Sequence, residues 1–148
     1  MNSDYSLVTD SRLSYYVSTL NIKDDSNTLI LSPVHHYYYN IDEIKDVRTL
    51  IHTKELNKVS DLKRFMNNTL HVLSKDSMFI GCFRDNKIRQ NIFYRNRVFY
   101  WFNNILDGNA IYRYMSRTMV IKMFMKLKLE IIDMSEVDGI TYFCVKKP

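Results

Sequence analysis

Apolar residues along this chain fall into two kinds of stretch: some repeat at three- and four-residue steps, and others form short unbroken runs bounded by turn-forming residues. Leu13, Tyr16, Val17 and Leu20 have the helical spacing and follow Ser11, a candidate cap, so they predict a first helix that ends in the polar segment 21–27. Thr28–Leu31 is a continuous apolar run between an Asp-Asp-Ser-Asn tract and Pro33, too short for a helix, and reads as a buried strand. Residues 47–52 are the next strand candidate, interrupted by Arg48 and His52.

Val59, Leu62, Phe65, Met66, Leu70 and Leu73 predict an amphipathic helix with Ser60 near its start. The tract Ser74-Lys75-Asp76-Ser77 ends it, and Met78–Phe83 has the length and apolar density of a central strand. Segment 84–114 is less regular, with a helix expected at about 98–106. Ser116 then caps a helix expected to bury Met119, Val120, Met123, Phe124 and Leu127. The C-terminal part reads as a hairpin, with arms 130–134 and 140–145 around Asp138-Gly139, where glycine tolerates the positive φ of a tight turn. Strands separated by helices and followed by a hairpin predict a Rossmann-like α/β domain: a mainly parallel sheet, helices on its faces and an antiparallel end.

At 148 residues and 46% hydrophobic, the chain has the size and apolar content of a single domain, 1–148. Cys82 and Cys144 are far apart and have no neighbouring ligands at metal-binding spacing, so no zinc site or disulfide framework is expected. No signal peptide is expected from 1–5, and no run reaches the length of a membrane span, which together predict a cytoplasmic domain. The net charge of +5 is unevenly placed. Segment 84–128 holds ten basic residues against Asp85 and Asp107, a balance of +8 that leaves −3 elsewhere. This asymmetry suits either a solvated face or one that meets phosphates, nucleic acid or a membrane surface.

The order of helix 59–73, strand 78–83, helix 116–127 and hairpin 130–145 resembles the second half of a class I methyltransferase domain. The strings Phe79-Ile80-Gly81-Cys82, Met115-Ser116-Arg117, Glu130-Ile131-Ile132-Asp133 and 137–143 (Val-Asp-Gly-Ile-Thr-Tyr-Phe) carry a narrower resemblance. They are similar to the methyltransferase-like region that precedes the membrane sugar transferase domain in bacterial polysaccharide-synthesis proteins. Those proteins are phosphoglycosyl transferases that load the first sugar onto a polyprenyl-phosphate carrier. The likeness covers about 47–147, and the sugar transferase domain with its membrane segment would lie beyond Pro148. The resemblance implies that the strand holding Cys82 lies beside the last hairpin strand.

In one respect the chain departs from the family. Class I methyltransferases hold S-adenosylmethionine at a glycine-rich turn after the first strand, where the backbone approaches the ligand. Here that turn is Ser32-Pro33-Val34-His35-His36, and no glycine precedes Gly81. No cofactor is therefore expected. His35 and His36, with Lys54 and Arg84 after later strands, form a candidate ligand edge; each charged pair, Lys54-Glu55 and Arg84-Asp85, reads by itself as an exposed ion pair. Residues 92–102 interleave aromatics with arginine, and Arg95, Arg97, Tyr100 and Trp101 are candidates for a membrane or partner surface, as well as for plain packing on the sheet.

The expected function is a non-catalytic methyltransferase-like domain of surface-polysaccharide synthesis, at or near the inner membrane, that contacts a membrane-bound sugar transferase. The alternatives are an active S-adenosylmethionine-dependent methyltransferase with an atypical cofactor site, and a nucleic-acid-binding module.

Overall fold

In the computed structural model, which describes residues 11–22, 27–31, 47–85 and 113–148, the apolar runs become the middle of one mixed sheet. In chain order the elements are α1 (Ser11–Thr19), β1 (Thr28–Leu31), β2 (Thr49–His52), a 3-10 turn (Leu56–Lys58), α2 (Leu62–Val72), β3 (Met78–Phe83), α3 (Arg117–Lys126), β4 (Glu130–Val137) and β5 (Ile140–Lys146). The strand order is β1-β2-β3-β5-β4. β1, β2 and β3 run parallel, β5 is antiparallel to β3, and β4 is antiparallel to β5. The α/β class with an antiparallel end is as the sequence predicts, and the strand carrying Cys82 lies beside the last hairpin strand as the resemblance implies.

Helices cover both faces of the sheet, which is why β2, β3 and β5 are buried at nearly every position instead of alternating between buried and exposed. Successive strand residues point to opposite faces, so each run feeds two cores. Leu50, Phe79, Phe83, Phe143 and Val145 pack with Phe65 and Met66 of α2 and with Val120 and Phe124 of α3. On the other face Ile51, Ile80, Cys82, Tyr142 and Cys144 pack with Leu13, Tyr16 and Val17 of α1. Phe143 is the hub of the first core, its ring 4.9 Å from that of Phe124 and 5.4 Å from that of Phe79. A Cβ on Gly81, its partner in β3, would stand 2.7 Å from the Phe143 ring, so the missing side chain is what lets that ring lie across the strand.

Local chemistry sets several boundaries. Asp138 and Gly139 have φ of 52° and 78°, the two left-handed positions of a type I′ hairpin turn. Ser116 caps α3 by accepting from the Met119 amide, and Asp85 also accepts from the Arg117 amide, placing negative charge at the positive end of the helix dipole. At the far end of α2 the Lys147 ammonium donates to the carbonyls of Leu70 and Leu73, groups the helix itself cannot satisfy.

Four expectations are refined or corrected. The helix expected to start near Ser60 is capped one residue later by Asp61, whose carboxylate reaches the Arg64 amide at 3.0 Å. Ser11 is the first residue of α1. Met119 is half exposed, turned away from the Val120–Phe124 stripe that meets the sheet. His52 does not interrupt its strand: it is buried, 4.7 Å from the Phe65 ring. Burial pushes its imidazole down to about 4, and the nearby Lys54 charge adds to that against a hydrogen bond with the Lys54 backbone. The helix expected at 98–106 lies outside the described residues.

Cys82 and Cys144 form no disulfide and are buried on the α1 face, two residues apart in register on the diagonal across β3 and β5. Burial and the charge of Asp133 push the Cys144 thiol up to about 12. Asp133 itself is tied to α1, accepting from the Tyr16 hydroxyl at 2.7 Å and from Ser135 at 2.9 Å. Burial in turn raises the Tyr16 phenol, and this carboxylate adds to the effect.

Candidate functional site

In an open α/β sheet, ligands bind beyond the carboxyl ends of the parallel strands, because the loops there splay apart. Here those ends are Leu31, His52 and Phe83, so the segments that follow, 53–60 and 84–85, share one edge. The sequence places Lys54 and Arg84 on that edge, and both are found there. Their charge pairing differs from the expectation. Glu55 pairs across the strands with Arg84 (3.5 Å) and along the chain with Lys58 (3.6 Å), while Asp85 turns to α3. Glu55 is mostly buried, with 12% of its side chain exposed. The pairing thus joins β2 to β3 and is not a freely solvated surface contact. Lys54 forms no ion pair among the described residues.

The residue that organises this edge is Asn57, in the 3-10 turn after β2. It is fully buried. Its amide nitrogen donates to the carbonyls of Arg84 and Arg113, and its amide oxygen accepts from the Arg84 backbone N–H at 2.7 Å. Its own carbonyl takes the Arg113 amide at 2.6 Å. One side chain therefore ties together the turn after β2, the end of β3 and the approach to α3. The Arg113 guanidinium adds a contact to the Ser60 carbonyl. An asparagine between Leu56 and Val59 gives no sequence signal of this role, since the groups it bonds lie 27 and 56 residues away.

Toward β1 the edge is also engaged. The Leu31 carbonyl, the last of that strand, accepts from both the backbone N–H and the hydroxyl of Thr53. A cofactor bound after the first strand is held by backbone N–H groups of the turn that follows, where glycines allow close approach. The Thr53–Leu31 bond continues the parallel ladder of β1 and β2, and the turn beyond β1 carries Ser-Pro-Val-His-His without glycine. The residues present do not fit S-adenosylmethionine in the usual way. Among the described residues, two groups near this edge are buried without a hydrogen-bond partner: the second carboxylate oxygen of Glu55 and the Tyr114 hydroxyl. No cluster of three or more metal-ligating side chains occurs among the described residues, and no helix among them is long and apolar enough to cross a membrane. His35, His36, Arg95, Arg97, Tyr100 and Trp101 lie outside the described residues.

No protein-family model matches the chain, and no curated protein sequence matches it. Among solved structures it is similar to a SAM-dependent methyltransferase from Thermotoga maritima, described as a possible histamine N-methyltransferase. The identity is 16% and the TM-score 0.48, over 70% of this chain and 57% of that one. The strand order and directions, independently of that likeness, make this a mainly parallel α/β sheet closed by an antiparallel hairpin.

Proposed function

We propose that this chain is a non-catalytic domain of methyltransferase-like architecture that works by contact with a partner. The observation that carries this reading is the engaged carboxyl edge. Asn57 ties the ends of β2 and β3 to the approach to α3, and Glu55 is held by Arg84. Polar groups that satisfy one another stabilise a fold and leave less to offer a cofactor. The glycine-free turn at 32–36 supports the same reading.

Isothermal calorimetry with S-adenosylmethionine is the test. No heat of binding is expected, and micromolar affinity would overturn the proposal in favour of an active methyltransferase with an atypical site. That second reading draws on one observation, the buried Glu55 oxygen with no hydrogen-bond partner, which is suited to accept from a substrate amine or hydroxyl. The sequence resemblance names a partner: a membrane sugar transferase of surface-polysaccharide synthesis. Neighbouring genes test it. A polysaccharide cluster supports this partner, and neighbours of unrelated function count against it.

A further inference from the structure

The outward side of α3 carries a surface that no described residue packs against. Val120 and Phe124 face the sheet. At about 100° per residue, Lys122 and Lys126 fall on the opposite side, with Met119 and Met125 flanking them. Met119 is 50% exposed and Met125 68%. Residues 117–128 contain no Asp or Glu, and Lys122, Lys126 and Lys128 form no ion pair among the described residues.

Lys128 adds an independent observation. It follows the helix with φ of 58°, inside a C-terminal motif in which the Leu129 amide bonds the Phe124 carbonyl and the Lys128 amide bonds that of Met125. Glycine fills this left-handed position at lower cost; the lysine here is exposed and adds a third cation at the end of α3.

We propose that this face of α3 docks on an anionic membrane surface, with Lys122, Lys126 and Lys128 against lipid phosphates and Met119 and Met125 entering the interfacial layer. The outer side of a helix is convex and lies flat on a bilayer, whereas a peptide partner needs a groove. Single-stranded nucleic acid is gripped by aromatic stacking, which two thioether chains do not supply, and phosphate contacts alone leave the exposed methionines without a role. The surface is separate from the carboxyl edge. α3 starts beside Asp85 at that edge and ends before Glu130, which is level through Lys146 with Met78, the first residue of β3. The calorimetric result with S-adenosylmethionine therefore leaves this proposal standing or falling by itself.

The test is co-sedimentation of the full chain with vesicles of phosphatidylcholine, with and without phosphatidylserine, at low and high salt. Binding is expected only with phosphatidylserine and should be lost at high salt. At about one kcal/mol per basic residue near such a surface, removing both helix lysines in K122Q/K126Q weakens binding ~30-fold, and K128G weakens it ~5-fold while raising the melting temperature. M119S/M125S should weaken the low-salt binding to phosphatidylserine vesicles with its melting temperature unchanged. Failure to bind phosphatidylserine vesicles, unaltered binding by K122Q/K126Q or by M119S/M125S, or tighter binding to a single-stranded RNA oligonucleotide than to vesicles would each overturn the proposal.

Discussion

Acidification should destabilise this protein through His52, a residue the fold holds neutral in its core. The imidazole is 2% exposed and sits against Phe65. Its pKa falls from 6.5 to about 4 on folding. The unfolded chain thus takes up a proton that the folded chain refuses between those two values. The effect is absent above the unfolded pKa, and stability is lost as pH falls from 6.5 toward 4. At about 1.36 kcal/mol per pH unit, lowering the pH from neutral to ~5 removes ~2 kcal/mol, and the whole window amounts to ~3 kcal/mol. Against a typical domain stability of about 5–15 kcal/mol this is a large loss. Urea denaturation followed by circular dichroism across this range measures it. His52→Leu carries no titrating group and should have a flatter profile, so the stability difference between the two proteins shifts by ~2 kcal/mol in the variant's favour on acidification. Parallel profiles for wild type and variant would refute the reasoning.

Asn57→Leu should cost at least ~2 kcal/mol in the same denaturation experiment, because it strands the Arg84 backbone N–H and the carbonyls of Arg84 and Arg113. Asn57→Asp should be no better, since it sets a carboxylate against two carbonyls; full stability in either variant would remove Asn57 from the centre of the edge. Gly81→Ala should cost ~1–3 kcal/mol, read as a lower melting temperature, because its Cβ displaces the Phe143 ring around which the α2–α3 core is packed. Pairing it with Phe143→Leu should recover part of that loss, and strict additivity of the two changes would argue against the clash.

The sequence alone determined the features whose causes lie within a few residues. Met78–Phe83 is a strand because six apolar residues end at turn-forming neighbours, Asp138-Gly139 is a turn because both positions take positive φ, and Ser116 caps α3 because its hydroxyl reaches an amide three residues on. These also made the α/β class legible, and with it the edge on which Lys54 and Arg84 stand.

Tertiary structure decided what depends on which segments become neighbours. The insertion of β5 between β3 and β4 covers Gly81 with Phe143. The approach of β2 to β3 pairs Glu55 with Arg84 in place of the sequence neighbours. His52 became a core residue because α2 laid Phe65 over it, and Met119 reached the surface because Val120 and Phe124 were the residues turned to the sheet. Asn57 is the sharpest case: an ordinary polar residue in sequence, it acquires its role only when backbone groups from two distant segments converge on it. A pattern along the chain reports periodicity and turn chemistry, but the donors and acceptors that meet a buried amide are set by the packing of the whole sheet.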